Sequence, residues 1–234
     1  MLKIISSMAT RLLLAELAAK WQTDTGMPVS IESVGGLDAA IRVREGEAFD
    51  AVVLSRDAIE KLMESGHVVP ASRVDLARSC VAVAVKTGAP VPDIRTEAAL
   101  RKAVEAASSV GYSTGPSGVA IIALLSEWGL VESPHFKIVQ TPPGVPVGSL
   151  VARGELALGF QQLSELMHLE GITVVGTLPD PVDITTVFSS GVCTLCTQHA
   201  ALGLFLAYLQ TEQAASVKQQ HGMQAIDFAK TMAA

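Results

Sequence analysis

Short apolar runs alternate with longer helical stretches along almost the whole chain. The first part shows the pattern clearly: the predicted strands Leu2–Ser7, Val29–Val34 and Ala51–Leu54 are separated by the predicted helices Ala9–Trp21 and Asp38–Glu45. Apolar runs this short are typical of parallel strands whose two faces are both covered by helices. The pattern therefore predicts an α/β fold built from parallel strand–helix–strand units.

The same alternation continues through the rest of the chain. It predicts a returning stretch at Val174–Phe188 and a helical region over Thr197–Met232 that is broken at His221-Gly222. The remaining predicted strands are Val81–Val85, Ser109–Ser113, Lys137–Gln140 and Leu156–Phe160, and the remaining predicted helices are Arg56–Ser65, Ser117–Trp128 and Val147–Arg153. A chain of 234 residues with this content suits two small lobes better than one compact domain.

Composition and charge exclude several classes of function. The net charge of −6 and the lack of a basic stretch argue against nucleic acid as a partner. The five histidines are scattered and the three cysteines, Cys80, Cys193 and Cys196, form no metal set, so neither a metal nor another cofactor is expected. The Cys193/Cys196 pair is predicted to be two buried free thiols rather than a disulfide.

The amino-terminal residues bear on the compartment. The first strand-like run begins at Leu2, and no charged segment with a cleavage site precedes it. A native start at this point predicts a cytoplasmic protein, whereas removal of a signal peptide predicts a periplasmic one. The protein is expected to be a monomer.

Four loops that each follow a predicted strand and precede a helix carry small and polar residues. In open α/β sheets, ligands lie at the carboxyl ends of the strands, where helix N-termini present unpaired N–H groups that suit an anion. These loops and the strand end before Arg56 predict the ligand-binding residues Ser6, Ser7, Thr10, Gly36, Ser55, Arg56, Ser113, Thr114, Ser117, Gly118, Gln161 and Gln162.

Two features of this set are the most specific. Gln161 and Gln162 are adjacent amides after an apolar run, and neighbouring side chains of a strand point to opposite faces. Arg56 follows a strand end directly, where a guanidinium fork suits a carboxylate, and it is better placed for this than Arg11 or Arg42. Helix capping by the serines and threonines, and simple exposure of the arginines, are the alternative interpretations.

Several motifs resemble those of the molybdate-binding-protein-like family of solute receptors. The resemblance rests on the Gly-Gly turn after the second strand and on the segments FDAVVLSRDAIEKL, PSGVAIIALLSEWGL, VARGELALGFQQLSEL and HGMQAI. It implies a type II periplasmic-binding-protein fold, in which two Rossmann-like lobes are joined by two crossover strands and close on a ligand in the cleft between them. The implied lobes are residues 1–78 plus 188–234 and residues 79–187, with crossovers near Ser79–Val81 and Val187–Ser189.

The chain departs from the family where molybdate is held. The resemblance implies a serine in the first loop, a serine after the Gly-Gly turn, and a tyrosine after the strand that follows Gly154-Glu155. This sequence has Met8, Leu37 or Asp38, and Gln162 at those places. Because an aspartate repels a dianion while an amide both donates and accepts hydrogen bonds, the departures favour a di- or tricarboxylate over molybdate.

Three functions remain open from the sequence. The first is a binding protein that delivers a small anion to the membrane complex of an ABC importer. The second is a cofactor-free isomerase of a tricarboxylic acid, because a branch of the family is similar to aconitate isomerase; Asp38 and Glu165 are its candidate acid/base residues. The third is a cytosolic ligand sensor that acts through a separate partner.

Overall fold

The computed structural model describes residues 1–132 and 137–226, which form two compact units. The first unit contains Met1–Arg78 and the chain from Val187 onward, and the second is Ser79–Thr186. The chain passes between the units twice, each time within a strand. The boundary inferred from the sequence differs from this division only in the placement of Val187.

The first unit begins with three strand–helix pairs. These are β1 (Leu2–Ser7), α1 (Arg11–Thr25), β2 (Val29–Val34), α2 (Gly36–Arg44), β3 (Ala51–Ser55) and α3 (Arg56–Glu64), with a 3₁₀ turn at Met8–Thr10 before α1. β1 pairs in parallel with both β2 and β3. Two further helices and a short strand follow near the carboxyl end: α8 (His199–Tyr208), α9 (Glu212–Gln220) and β10 (Met223–Ala225).

The strands of the first unit are apolar on both faces because each face packs against helices. Ile4 and Val53 lie in one core with Phe205 of α8, whereas Ile5 and Val52 lie in the opposite core with α2 and α3. Adjacent residues of a strand point to opposite sides of the sheet, so a continuous apolar run fills two cores at once. This is the doubly wound arrangement that the sequence pattern predicts.

The second unit is built around its own mixed sheet. Its strands are β4 (Val74–Lys86, which begins in the first unit), β5 (Ser109–Tyr112), β6 (Lys137–Gln140), β7 (Leu158–Gln162), β8 (Ile172–Thr177) and the start of β9 (Thr185–Val192). Its helices are α4 (Glu97–Ala106), α5 (Pro116–Glu127), α6 (Val147–Arg153) and α7 (Leu163–Leu166). β5 pairs in parallel with β6 and β7, and β4 pairs antiparallel with β7 and β8.

The structure corrects several predicted boundaries. The strand predicted at Val81–Val85 starts seven residues earlier, at Val74, because Asp75 and Ser79 are buried with partners inside the protein. The single stretch predicted at Val174–Phe188 is two strands, β8 and β9. The predicted carboxyl-terminal helix also ends earlier, at Tyr208, since Thr211 caps a separate helix by accepting a hydrogen bond from Ala214 N. The part of that prediction beyond residue 226 lies outside the described residues.

Two kinds of feature are absent from the described residues. No helix within residues 1–132 and 137–226 has the length and apolarity required to span a membrane. The same residues contain no cluster of three or more histidine, cysteine or acidic side chains able to hold a metal ion. Cys193 and Cys196 are buried free thiols, and burial raises the pKa of Cys193 to about 12.

Candidate functional site

In the first unit, the three parallel strands end at the same side of the sheet. β1 and β2 are in register up to Ser7 and Val34, and Ser6 lies opposite Val53 of β3, which ends at Ser55. We call this side the carboxyl edge of the first unit. A helical turn begins directly after each strand, so the edge carries the N-terminal N–H groups of α2 and α3.

Ser7 presents an unpartnered hydroxyl at this edge. The residue is 8 % exposed, and its buried Oγ has no hydrogen-bond partner. Ser7 precedes the 3₁₀ turn but does not cap it with its side chain. A side-chain carbon at Gly36 would lie 3.9 Å from Ser7 Cβ, which makes the start of α2 its neighbour. A buried hydroxyl without a partner is costly, and a bound ligand would remove that cost.

The other predicted polar residues of the first loop are occupied within the protein. Ser6 Oγ and Ser33 Oγ share a hydrogen bond of 2.7 Å, and Thr10 Oγ1 donates to the Ser7 carbonyl oxygen at 3.1 Å. Both residues are buried. These contacts tie β1 to β2 and hold the turn after β1, so Ser6 and Thr10 support the position of Ser7.

Arg56, the first residue of α3, is paired with an acidic residue that the sequence analysis missed. Its Nη2 donates to Asp75 Oδ2 on β4, and its buried Nε has no partner. Asp75 Oδ1 also accepts a hydrogen bond of 2.6 Å from Ser189 Oγ on β9. Burial alone would raise the pKa of Asp75, but the Ser189 hydroxyl and the Arg56 and Arg73 guanidiniums outweigh it and hold that pKa below its ordinary value.

Asp38 lies in the first turn of α2 and is exposed. Its carboxylate lies next to the start of the helix: a side-chain carbon added at Gly35 would be 2.9 Å from Asp38 Oδ2. A negative charge at this position is favoured by the partial positive charge of the helix N-terminus. The residue is thus accessible to a ligand, and its carboxylate is close to the Gly35-Gly36 turn.

In the second unit, the predicted loop Ser113–Gly118 leads from β5 into α5. Ser117 and Gly118 are buried, Thr114 is exposed, and the hydroxyls of Ser113 and Ser117 are 3.5 Å apart. Gly118 fits because a side-chain carbon there would overlap the carbonyl oxygen of Ser113. The backbone of the loop therefore packs directly against the first turn of the helix.

Gln161 and Gln162 are the last two residues of β7, rather than residues after the strand, and they make different contacts. Gln161 Oε1 accepts a hydrogen bond of 3.1 Å from Gly148 N in the first turn of α6, and its Nε2 donates to Glu165 Oε1 at 2.8 Å. Both ends of this amide are thus used inside the second unit. A ligand contact for Gln161 stays a prediction, and a structural role explains its burial without one.

Only one end of the Gln162 amide has a hydrogen-bond partner. It is 3 % exposed, and its Nε2 donates to Thr186 Oγ1 at 2.8 Å, while its buried Oε1 has no partner. Since the Thr186 hydroxyl can either donate or accept, the amide can present its oxygen or its NH₂ group on the other side. Among the predicted ligand-binding residues, Ser7, Arg56 and Gln162 are the ones that hold a buried polar atom without a partner.

The residues that the sequence analysis missed, Asp75, Thr186 and Ser189, share one signal. Each is a buried polar residue within a strand. Buried polar side chains in a strand require partners. That requirement indicates that each has a hydrogen-bond partner, but only the structure identifies the partners: Asp75 and Ser189 bond each other, and Thr186 bonds Gln162.

Comparisons with known proteins agree with the fold. The family model of the bacterial extracellular solute-binding proteins matches residues 2–224. The aconitate isomerase of a Pseudomonas species is 35 % identical over 230 residues, which cover 96 % of this chain and 88 % of the relative. The molybdate-binding protein ModA of Azotobacter vinelandii is 26 % identical over 217 residues, covering 88 % and 83 %.

A solved structure of a molybdate-binding protein has a similar fold. The periplasmic molybdate-binding protein of Azotobacter vinelandii matches with a TM-score of 0.79 at 20 % identity, over 97 % of this chain and 100 % of the other. The predicted fold class and the predicted family are confirmed. The chain therefore belongs to the bacterial extracellular solute-binding proteins, within the group that resembles the molybdate-binding proteins.

Proposed function

We propose that the protein binds a small di- or tricarboxylate. Membership of the solute-binding family, with relatives that bind small anions such as molybdate, supports an anion as the ligand. The choice of a carboxylic acid over a metal oxyanion rests on the side chains of this chain. On this proposal the membrane partner is an ABC importer and the compartment is the periplasm.

The observation that carries the proposal is the unpartnered Oε1 of the buried Gln162. A molybdate dianion offers only acceptors, so it can accept from the NH₂ group of this amide but is repelled by its carbonyl oxygen. A hydroxyl or a protonated carboxyl group of an organic acid offers a donor to that oxygen. When the amide turns, its NH₂ group meets a carboxylate oxygen equally well.

The first unit holds, among the predicted ligand-binding residues, two buried donors that have no partner. Ser7 Oγ is a buried hydroxyl without a partner, and Arg56 Nε is a buried N–H without a partner. A hydrogen bond to a charged group contributes about 1.5–3 kcal/mol. Loss of one such bond is therefore expected to weaken binding by roughly 10- to 100-fold.

Titration calorimetry tests the ligand class. Citrate, cis-aconitate and trans-aconitate are expected to bind, and molybdate, tungstate and sulfate are expected to bind more weakly or not at all. Ser7→Ala and Gln162→Leu are each expected to weaken binding of the acids by roughly 10- to 100-fold, because each removes one ligand contact. The matched controls are Ser30→Ala and Gln219→Leu, since both side chains are exposed and are expected to leave affinity unchanged. Submicromolar binding of molybdate without heat from the acids would contradict the proposal.

A second candidate function is the isomerisation of a tricarboxylate such as aconitate. The 35 % identity with an aconitate isomerase over nearly the full chain favours it. In such a reaction a base removes a proton from the carbon next to the double bond, the double bond moves by one position, and a proton returns at the far end. The atoms and the charge of the acid are unchanged, so the reaction consumes no co-reactant. Asp38, exposed at the start of α2, and Glu165, which accepts from Gln161, are the candidate acid/base groups.

Proton NMR in D₂O distinguishes an isomerase from a binding protein. An isomerase converts cis-aconitate to its trans isomer and introduces deuterium into the product. Asp38→Asn is then expected to lower the rate by about 10²-fold or more while the acid still binds. Asp57→Asn, which changes an exposed aspartate in the first turn of α3, is the control and should keep the rate. Tight binding with neither conversion nor exchange would assign the chain to binding alone.

A further inference from the structure

The carboxylate of Asp75 contacts groups from three separate segments of the first unit. Arg56 comes from the start of α3, Ser189 from β9, and Arg73 Nε, 3.4 Å from Asp75 Oδ1, from the residue before β4. The side chain of Asp75 is only 9 % exposed, while that of Arg56 is 39 % exposed. The acid is therefore held deep in the unit, and the arginine extends from it toward the surface.

The position of this cluster relates it to the carboxyl edge of the first unit. In the pairing of β3 with β9, Leu54 lies opposite Ser189 and Ser55 lies opposite Phe188. Arg56 is the next residue after Ser55, at the end of β3. A carbon added at Gly36 would lie 3.8 Å from Leu54 Cδ2 and 3.9 Å from Ser7 Cβ, so the end of β3 adjoins the unpartnered hydroxyl.

Asp75 uses only part of the donor capacity of Arg56. A guanidinium has five N–H donors in a rigid plane, and the bond to Asp75 is made by Nη2. Nε–H is buried and has no partner. The guanidinium is thus held in place through Nη2 while Nε–H still lacks an acceptor. Such a group can bind a carboxylate with little further loss of side-chain freedom.

We infer that Asp75 is a positioning residue, which orients the Arg56 guanidinium so that it grips a carboxylate group of the ligand. This inference rests on the proposed binding of a carboxylic acid and assigns a further residue to that site. Ser189 acts with Asp75, because its hydroxyl fixes the second carboxylate oxygen. Arg73 is in addition paired with Glu60, so its charge is compensated locally.

The sign of a charge-removing substitution separates positioning from simple electrostatics. Asp75→Asn takes one negative charge away from the neighbourhood of an anion, and Coulomb interaction alone then predicts tighter binding. A positioning role predicts the opposite, since the amide cannot accept from Arg56 and Ser189 as the carboxylate does. We therefore expect Asp75→Asn to weaken binding of citrate and cis-aconitate by roughly 10- to 100-fold.

Calorimetry with citrate and cis-aconitate on the full chain measures this effect. Arg56→Lys, which keeps the charge but loses the fork, should weaken binding to a similar extent. The double variant should bind no worse than the weaker single variant, because the two residues act as one unit. Asp57→Asn, one residue away on α3 and exposed, is the control and should bind the acids unchanged or slightly more tightly.

Unchanged or tighter binding by Asp75→Asn would overturn the inference while leaving the proposed function intact. Failure of the wild-type protein to bind either acid would overturn both. Thermal melting shows whether Asp75→Asn is folded. If it is not, Ser189→Ala decides the question, since it removes one hydrogen bond and keeps the ion pair: weakened binding of about tenfold supports the inference, and unchanged binding overturns it.

Discussion

Replacement of Phe205 by alanine is expected to lower the free energy of unfolding of the first unit by about 3–5 kcal/mol. Phe205 is fully buried in α8, and its ring centroid lies 5.6 Å from that of Trp21 and 6.4 Å from that of Tyr208. Its removal therefore leaves a cavity among large aromatic side chains that cannot collapse without moving α1 against α8. Urea unfolding followed by tryptophan fluorescence measures the loss.

The two tryptophans allow each unit to be observed separately. Trp21 lies in the first unit and Trp128 in the second, and the chain contains no other tryptophan. The measurement is made in a Trp128→Phe background, so that the signal reports the first unit. Leu204→Ala is the control: Leu204 precedes Phe205 on the same helix but is 58 % exposed, and its loss should cost less than about 0.5 kcal/mol. Equal effects of the two substitutions would refute the packing assigned to α8.

Gly118→Ala is expected to have the second largest effect, a loss of about 3 kcal/mol in the stability of the second unit. The added methyl group would overlap the carbonyl oxygen of Ser113, which is part of the backbone and cannot rotate away. The start of α5 must then move away from the end of β5. Unfolding is followed through Trp128 in a Trp21→Phe background, and binding of citrate should weaken in the same variant.

The identical substitution elsewhere provides the control. Gly203 lies within α8, is exposed, and has nothing within 4 Å of an added side-chain carbon. Gly203→Ala should therefore stabilise the protein by about 0.5–1 kcal/mol, because alanine has the higher helix propensity. A Gly118→Ala variant as stable as Gly203→Ala would show that the loop before α5 does not pack as described.

The sequence was sufficient to predict the helices and strands that are indicated by a local pattern of apolar residues. The helix Val147–Arg153 has the predicted bounds, and the apolar runs at β1 and β3 form buried strands as expected. Residues that depend on distant partners were harder to interpret. Asp75 interrupts an apolar pattern and so hid the start of β4. In the structure its charge is balanced by Arg56, nineteen positions away, and it accepts a hydrogen bond from Ser189, near the far end of the chain.

The candidate site, too, could be predicted from the sequence only in part. A polar residue at a strand end can be identified from the sequence, but whether its hydrogen bonds are already made cannot. Gln161 and Gln162 were indistinguishable as a pair of amides. In the structure one caps the first turn of α6 and contacts Glu165, while the other keeps an unpartnered oxygen. That difference arises because Gln161 meets the start of α6, the helix that precedes β7, whereas Gln162 meets Thr186 of β9 with its NH₂ group alone.

The order of the units along the chain has a consequence for folding during synthesis. Ser79–Thr186 is complete before the second part of the first unit has been made. One core of the first unit requires Phe188 and Phe205 in addition to residues of β1 and α1, so it cannot close until those later residues have emerged from the ribosome. The second unit is thus free to fold first. One core of residues 1–78 remains incomplete until the synthesis of the second unit has ended. During that interval one face of β1 and β3 lacks the α8 side chains that cover it, and the edge of β3 that pairs with β9 stays unpaired, which leaves the nascent chain open to aggregation.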